Sequence, residues 1–517
     1  MKRIDYFPVV ISLLLLLLVG LPYLVAFRAS NAEYVFAGAF LNLQDANSYL
    51  AKMYQGWSGF WRYKLPFTAE PGQGAYLFLF YLALGHIAKI FNLTLLFTYH
   101  LARILGTVFF SIILWIFYRQ MFADRFTYRL AYLIAMLGAG MGWLLVSFGY
   151  RTVDFWVAET YPFLSAFVNP HFPIGLGLML LLFVIHSDKP FFSWSGVLQL
   201  FYALLLSIIN PFGIVIVFVV LFGMAFVEYL RLRNFRIFVL NNPTIKRLFW
   251  ISIGGLPVLF YNFMISKIDP VLSIWNLQNQ TPSPPIWDLI LSLSPGLFLA
   301  IYAVFHWKEN TNLKLLIVWL VLAFVLIYFP FSLQRRFMMG LYIPVAGLAA
   351  FAITKISKAS PRKRLLLTSF ILALVIPTNI FILLAGFNDA YQHSPRVYLT
   401  TDDSKALTWI SVSTPSDALV LAGPEMGMYI PAFTGRRVIY GHGFETINAQ
   451  EEFNAVMEYF SGSMTLEQKE QFYQERGIDY LYYGPREQKI GLIDPVNDLN
   501  LVYENHKVKI YRVSGDP

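Results

Sequence analysis

The sequence contains no cysteine among its 517 residues, which excludes disulfides, thiolate nucleophiles and cysteine-held metals. It is also poor in charge. Asp, Glu, Lys and Arg make up 13% of it, about half of the ~25% usual for soluble domains. Much of the surface must therefore meet something other than water. There is no internal repeat, no low-complexity stretch and no phosphate-binding glycine loop. The GHG at 441–443 lacks the Lys-Ser/Thr that such a loop needs, and its His442 reads as a structural residue.

What is abundant is apolar and aromatic side chains, 57% and 18% of the chain. They come in uninterrupted runs, and about 18 such residues suffice to cross a bilayer. The first run, 8–27 (PVVISLLLLLLVGLPYLVAF), is too long for a signal-peptide core and has no small-residue cleavage site, so a retained helix is expected. Further spans are expected near 94–117, 130–149, 172–187, 195–209, 211–230, 248–266, 288–307, 313–331, 338–355 and 365–386, about eleven in all. The stretch 76–92 carries His86 and Lys89, and reads as a helix lying in the membrane plane rather than as a span.

Orientation follows from the basic residues of short loops. With Lys2 and Arg3 inside, so are Arg119, Arg125, Arg129 and Lys189. Arg231, Arg233, Arg236, Lys246, Arg247, Lys308, Lys314, Lys355, Lys358, Arg362, Lys363 and Arg364 follow on the same side. The net charge of +9 thus reflects topology, and no nucleic-acid partner is implied. An odd number of spans puts everything after about 387 outside. There the composition turns polar, and β-like runs (418–422, 437–441, 479–484, 507–513) alternate with helical stretches (403–412, 447–461, 465–476). The fold class predicted is mainly α: a polytopic transmembrane helical bundle over 1–386, with external loops 28–93, 149–171 and 267–288, then a small soluble external α/β domain over 387–517.

Polar residues gather in the external loops. The first holds Asp45, ahead of an amphipathic stretch with Lys52, and Glu70 further on; Asp45 could equally serve as a helix N-cap. The second holds Asp154, Glu159 and His171, whose acids could instead simply face water. Arg335 and Arg336 sit at the outer end of a span, where the positive-inside bias disfavours them. Snorkelling at the interface would account for them; so would a ligand, because guanidinium grips phosphate with paired, charge-assisted hydrogen bonds. Carboxylates beside a lipid-borne phosphate could activate a hydroxyl as general bases, and such chemistry would be sugar transfer from a lipid phosphate.

This layout resembles the GT-C superfamily of membrane glycosyltransferases, which includes protein O-mannosyltransferases and the bacterial lipid A aminoarabinose transferase. Its members begin with one span, then a long external loop with an acid near its start and in-plane helices, then a second acidic external loop two spans later. QDANSYLAKMYQG, around Asp45, and VDFWVAE, from Asp154 to Glu159, occupy those places, and IPAFTGRRVIYGHG at 430–443, preceded by PSDALVLAG, is similar to external tails of bacterial relatives. The family often shows paired acids at the first position, whereas here Ala46 and Asn47 follow Asp45. The resemblance implies a bacterial plasma-membrane enzyme with a cytoplasmic N-terminus and an external C-terminal domain. It would use a polyprenyl-phosphate sugar donor on the outer face, with inversion, and an acceptor that is a glycan, a lipid or a protein. Asp45, Asp154 and Glu159 are the implied catalytic acids; Lys52, Glu70, His171, Arg335 and Arg336 are the candidate substrate-binding residues. Some members need a divalent metal and others do not; with no His/Asp ligand spacing visible, no tightly held metal is expected. A transporter or flippase for a lipid-linked substrate is the alternative, but its acids would lie in mid-span rather than in loops. A third reading is a non-catalytic scaffold with the same architecture.

Overall fold

A computed structural model describes residues 5–185, 193–232, 242–310, 312–491 and 499–513. Of the basic residues that set the expected orientation, Lys2, Arg3, Lys189, Arg233 and Arg236 lie outside the described residues. The chain divides into two compact units: Met1–Leu24, His100–Tyr261 and Thr281–Asn388 form the first, and Val25–Tyr99, Asn262–Gln280 and Asp389–Pro517 the second.

The first unit is helical. Among the described residues of the chain, seven helices are long and apolar enough to cross a membrane: Phe7–Ala29, Leu95–Met121, Arg125–Phe148, Pro211–Leu230, Pro243–Ile268, Gln334–Ile356 and Pro361–Tyr391. Ile286–Leu293 and Gly296–Phe305 form an eighth candidate, bent by 86°. Three further expected spans coincide with the shorter apolar helices His171–Val184, Trp194–Ile209 and Leu313–Ile327, of 14, 16 and 15 residues. At ~1.5 Å per residue these reach about 21–24 Å, short of a ~30 Å hydrocarbon core. Fully buried tyrosines bind backbone inside this unit. Tyr118 donates to the Ile343 carbonyl at 2.8 Å and Tyr342 to that of Ala139 at 2.8 Å. Buried hydroxyls need such partners in an apolar core.

In the second unit the segment 28–93 folds with the C-terminal segment. Strand β1 (Tyr34–Phe36) pairs antiparallel with β2 (Tyr398–Thr400), Val35 opposite Leu399. A five-stranded sheet follows, in the order β4-β3-β5-β7-β6, with β3 Leu419–Leu421, β4 Arg437–Val438, β5 Tyr480–Tyr483, β6 Asn500–Glu504 and β7 Lys509–Arg512. The β3–β4 and β3–β5 pairs are parallel and the others antiparallel. Parallel neighbours require crossovers, and the helices Pro424–Thr434, Ala449–Ser461 and Leu466–Arg476 supply them. Alternation along the strands feeds two cores. Leu419, Leu421 and Leu481 pack with Val456, Tyr459 and Phe460, while Val420, Tyr480 and Tyr482 pack with Met426, Tyr429 and Ile410.

Helix Leu43–Trp57 crosses helix Leu79–Ile90 at backbone contact. A Cβ on Gly56 would lie 2.0 Å from the Leu82 carbonyl oxygen, and one on Gly85 would lie 1.9 Å from that of Met53. Glycine at both positions is what permits the approach. Leu79–Ile90 has 12 residues, ~18 Å, too short to span.

Candidate functional site

Helix Leu43–Trp57 places Asp45, Ser48, Tyr49 and Lys52 on one face, because they are spaced three and four apart. Asp45 is not the N-cap: that position is Asn42, in the left-handed conformation and without a side-chain cap bond. Asp45 sits instead within the first turn, where the helix dipole favours an anion. Its side chain is 37% exposed, against 7% for Glu159, and Asp154 is 0% exposed. It is the accessible carboxylate of the three acids.

Behind it lies a sealed polar cluster. Lys52, 0% exposed, extends its ammonium to Glu445 Oε1 at 2.7 Å and donates to the Ser48 hydroxyl. Ser48 itself donates to Glu445 Oε1 at 2.7 Å, and the Tyr63 hydroxyl to Oε2 at 2.7 Å. The Phe78, Tyr63 and Tyr49 rings surround the ammonium at 4.2, 5.0 and 5.2 Å, a cation–π cage. Burial pushes the Lys52 ammonium down, with Glu445 and then Asp45 pulling against it. Burial would push the Glu445 carboxyl up, but Lys52, His442 and the hydrogen bonds outweigh it and hold that carboxyl below its ordinary value.

Glu445 belongs to the turn 441–447, which is itself braced. A Cβ on Gly441 would meet the Gly427 carbonyl oxygen at 2.3 Å, so the turn closes directly on helix Pro424–Thr434. Gln278, at the end of helix Pro270–Gln278, donates to the Phe444 carbonyl at 3.3 Å and to that of Thr446, and accepts from the Asn448 N–H at 3.2 Å. His442 is 3% exposed; its Nδ1 accepts the N–H groups of Phe444 and Glu445 at 3.1 and 3.2 Å, and its Nε2 lies 3.7 Å from Asp45 Oδ1. The reading of His442 as structural was right for Nδ1. Its second nitrogen was not legible in the sequence, because nothing links GHGFE to a segment about four hundred residues earlier.

In the first unit, Asp154 does not face water. It accepts from the Thr152 hydroxyl at 2.5 Å, the Thr378 hydroxyl at 2.9 Å, the Gly142 N–H at 3.1 Å and the Ser292 hydroxyl at 3.3 Å. Burial pushes its carboxyl up against these bonds. Beside it, Asp288, which the sequence reading overlooked, accepts from Ser292 at 2.9 Å, the Val153 N–H at 3.0 Å and Tyr150 at 3.4 Å. Glu159 is buried 3.6 Å from Arg336 Nη1, and its backbone carbonyl accepts the Gly340 N–H at 2.8 Å. The Arg335 guanidinium lies 4.8 Å from the centre of the Trp156 ring. His171 begins helix His171–Val184, buried against the Phe172 ring at 4.0 Å. Glu70, in the second unit, is exposed and makes no ion pair among the described residues.

Among the described residues no three His, Asp or Glu side chains converge as metal ligands. The chemistry around Asp45 also runs against a cation, since an ammonium already occupies Glu445 and His442 accepts N–H groups at Nδ1.

No protein-family model matches the sequence, and no curated protein does. Solved structures match by fold. The oligosaccharyltransferase of Archaeoglobus fulgidus, in the apo form, aligns with a TM-score of 0.54 at 13% identity, covering 93% of this chain and 70% of its own. The same archaeal enzyme, AglB, with an inhibitory peptide and a dolichol-phosphate gives 0.51 at 12%, over 91% and 69%. ArnT, an aminoarabinose transferase, from Cupriavidus metallidurans bound to undecaprenyl phosphate gives 0.51 at 12%, over 97% and 98%. The chain thus shares the fold of the GT-C membrane glycosyltransferases.

Proposed function

We propose that this chain is a membrane glycosyltransferase that moves a sugar from a polyprenyl-phosphate-linked donor to an acceptor hydroxyl on the outer face of the membrane. The observation that carries the reading is the accessible carboxylate of Asp45, held on a rigid, buried scaffold in the fold that ArnT uses with undecaprenyl phosphate.

Asp45 takes the proton of the acceptor hydroxyl as its oxygen bonds to the anomeric carbon. The bond from that carbon to the phosphate oxygen breaks with inversion, and polyprenyl phosphate leaves with the electron pair. Positive charge at the anomeric carbon is stabilised by the same carboxylate, as in glycoside cleavage. Lys52 acts through Glu445: the pair anchors the acidic helix to the turn 441–447. In the first unit, Arg335 and Arg336 are the cations proposed to grip the donor phosphate. Asp154, with every oxygen engaged, shapes its loop rather than meeting substrate.

The test is transfer by the purified chain in proteoliposomes, with undecaprenyl-phosphate-linked radiolabelled hexose and membranes of the source organism as acceptor. Labelled acceptor together with free undecaprenyl phosphate is expected. Intact donor appearing in the opposite leaflet, with no cleavage, would point to lipid transport instead.

A further inference from the structure

His442, from the C-terminal segment, brings its Nε2 to 3.7 Å from Asp45 Oδ1. Its geometry defines its protonation. Nδ1 accepts two backbone N–H groups, from Phe444 at 3.1 Å and Glu445 at 3.2 Å, so that nitrogen carries no hydrogen. In the neutral ring the proton therefore sits on Nε2. Nε2 is buried, has no hydrogen-bond partner among the described residues, and lies 3.7 Å from Asp45 Oδ1. A buried donor without a partner is costly. It is retained here on an imidazole locked at its other nitrogen, with the Phe67 ring 5.7 Å away, and on a turn that Gln278, Gly427 and the Lys52–Glu445 pair hold in place.

We propose that His442 is a positioning residue for Asp45: its Nε2–H directs the carboxylate, closing the 3.7 Å gap to a hydrogen bond when substrate fills the site. This rests on the reading of Asp45 as the base. It gives the C-terminal segment a part in the reaction, since the turn that carries His442 completes the acid's surroundings.

Two amides separate the two nitrogens. Asn reproduces the acceptor at Nδ1 and so keeps the bonds to Phe444 and Glu445, but offers nothing at Nε2. Gln places an N–H near Nε2. His442→Asn is expected to keep the melting temperature and the KM for the undecaprenyl-phosphate hexose while losing about tenfold in turnover, the low end for a hydrogen bond to a charged group. His442→Gln is expected to recover most of it. Wild-type turnover in the Asn variant, or a loss that Gln does not relieve, overturns the proposal. Asp45→Asn measured alongside keeps the two claims apart, because if it alone is inactive the base assignment stands and only the role of His442 falls. A second readout needs no substrate. In the full chain with 15N-labelled histidine, the resonance lost in His442→Asn is expected to show the Nε2–H tautomer and to move in Asp45→Asn. The opposite tautomer, or no movement, overturns the contact even in a chain that transfers nothing.

Discussion

Lys52 and Glu445, 393 residues apart in sequence, form an ion pair of 2.7 Å with the ammonium fully sealed from solvent. Removing one partner leaves the other buried and uncompensated, which costs about 3–5 kcal/mol. Glu445→Gln, which leaves the Lys52 ammonium unpaired, is therefore expected to lower the melting temperature sharply, as is Lys52→Met. Lys52→Met combined with Glu445→Gln is expected to recover part of the loss. A double-mutant cycle in thermal unfolding checks this, and additive losses would contradict the coupling.

Asp154 is a different kind of acid. With the Gly142 N–H and two threonine hydroxyls depending on it, Asp154→Ala is expected to destabilise the chain by roughly 2–5 kcal/mol through orphaned buried donors. Gly142→Ala is expected to do comparable damage, because a Cβ there would lie 1.7 Å from Thr152 Oγ1 and 2.1 Å from Asp154 Oδ1. Melting curves of both variants test this; an unchanged Tm would contradict it.

Arg335 and Arg336 stand on a short turn, Gln334–Met338. Replacing either by Ala is expected to weaken undecaprenyl phosphate binding by about 1.5–3 kcal/mol. Lys is expected to restore only part, because it cannot make the two-pronged contact. Titration of the lipid into the detergent-solubilised chain reads the change. Unchanged affinity in both Ala variants would leave only an interfacial anchoring role.

The apolar segments were legible in the sequence because lipid tolerates only long apolar runs or internally satisfied backbone; among the described residues seven of the expected spans coincide with helices long enough to cross, one with a pair bent by 86° and three with shorter apolar helices. The amphipathic stretch after Asp45 was legible too, but the helix begins at Leu43, so Asp45 lies inside it rather than ahead of it. The residues that complete the site were not. Glu445 and His442 carry no local pattern, and their partners come from the other end of the chain. For the second loop the sequence left open whether its acids face water: Asp154 and Glu159 are buried, their surroundings set by Thr378, Ser292 and Arg336 from distant helices. Helix Pro424–Thr434 and strand β6 were also missed, the first because Pro431 and two glycine neighbours disguise it.

The C-terminal segment should respond to pH through Glu487. Its buried carboxyl accepts the N–H groups of Gly423 at 2.9 Å and Gly484 at 3.0 Å, and burial pushes it up to about 7 from 4.5. Between those values the folded chain holds a proton that the unfolded chain has released. Stability therefore falls as pH rises across that window, by roughly 3 kcal/mol in all, and is flat above it. Exchange protection of the Val420 and Leu481 amides, corrected for intrinsic rates, should show this slope. Glu487→Gln should abolish it, and a slope that persists in that variant would contradict the assignment.

The central claim is that Asp45 is the base. Asn keeps its size and hydrogen-bonding reach but neither its charge nor its basicity. The direct measurement is turnover of undecaprenyl-phosphate-linked hexose by Asp45→Asn, with a melting curve on the same preparation. A loss of roughly 100-fold or more, the scale of general-base removal, at an unchanged melting temperature is predicted. Full turnover in Asp45→Asn would contradict the account.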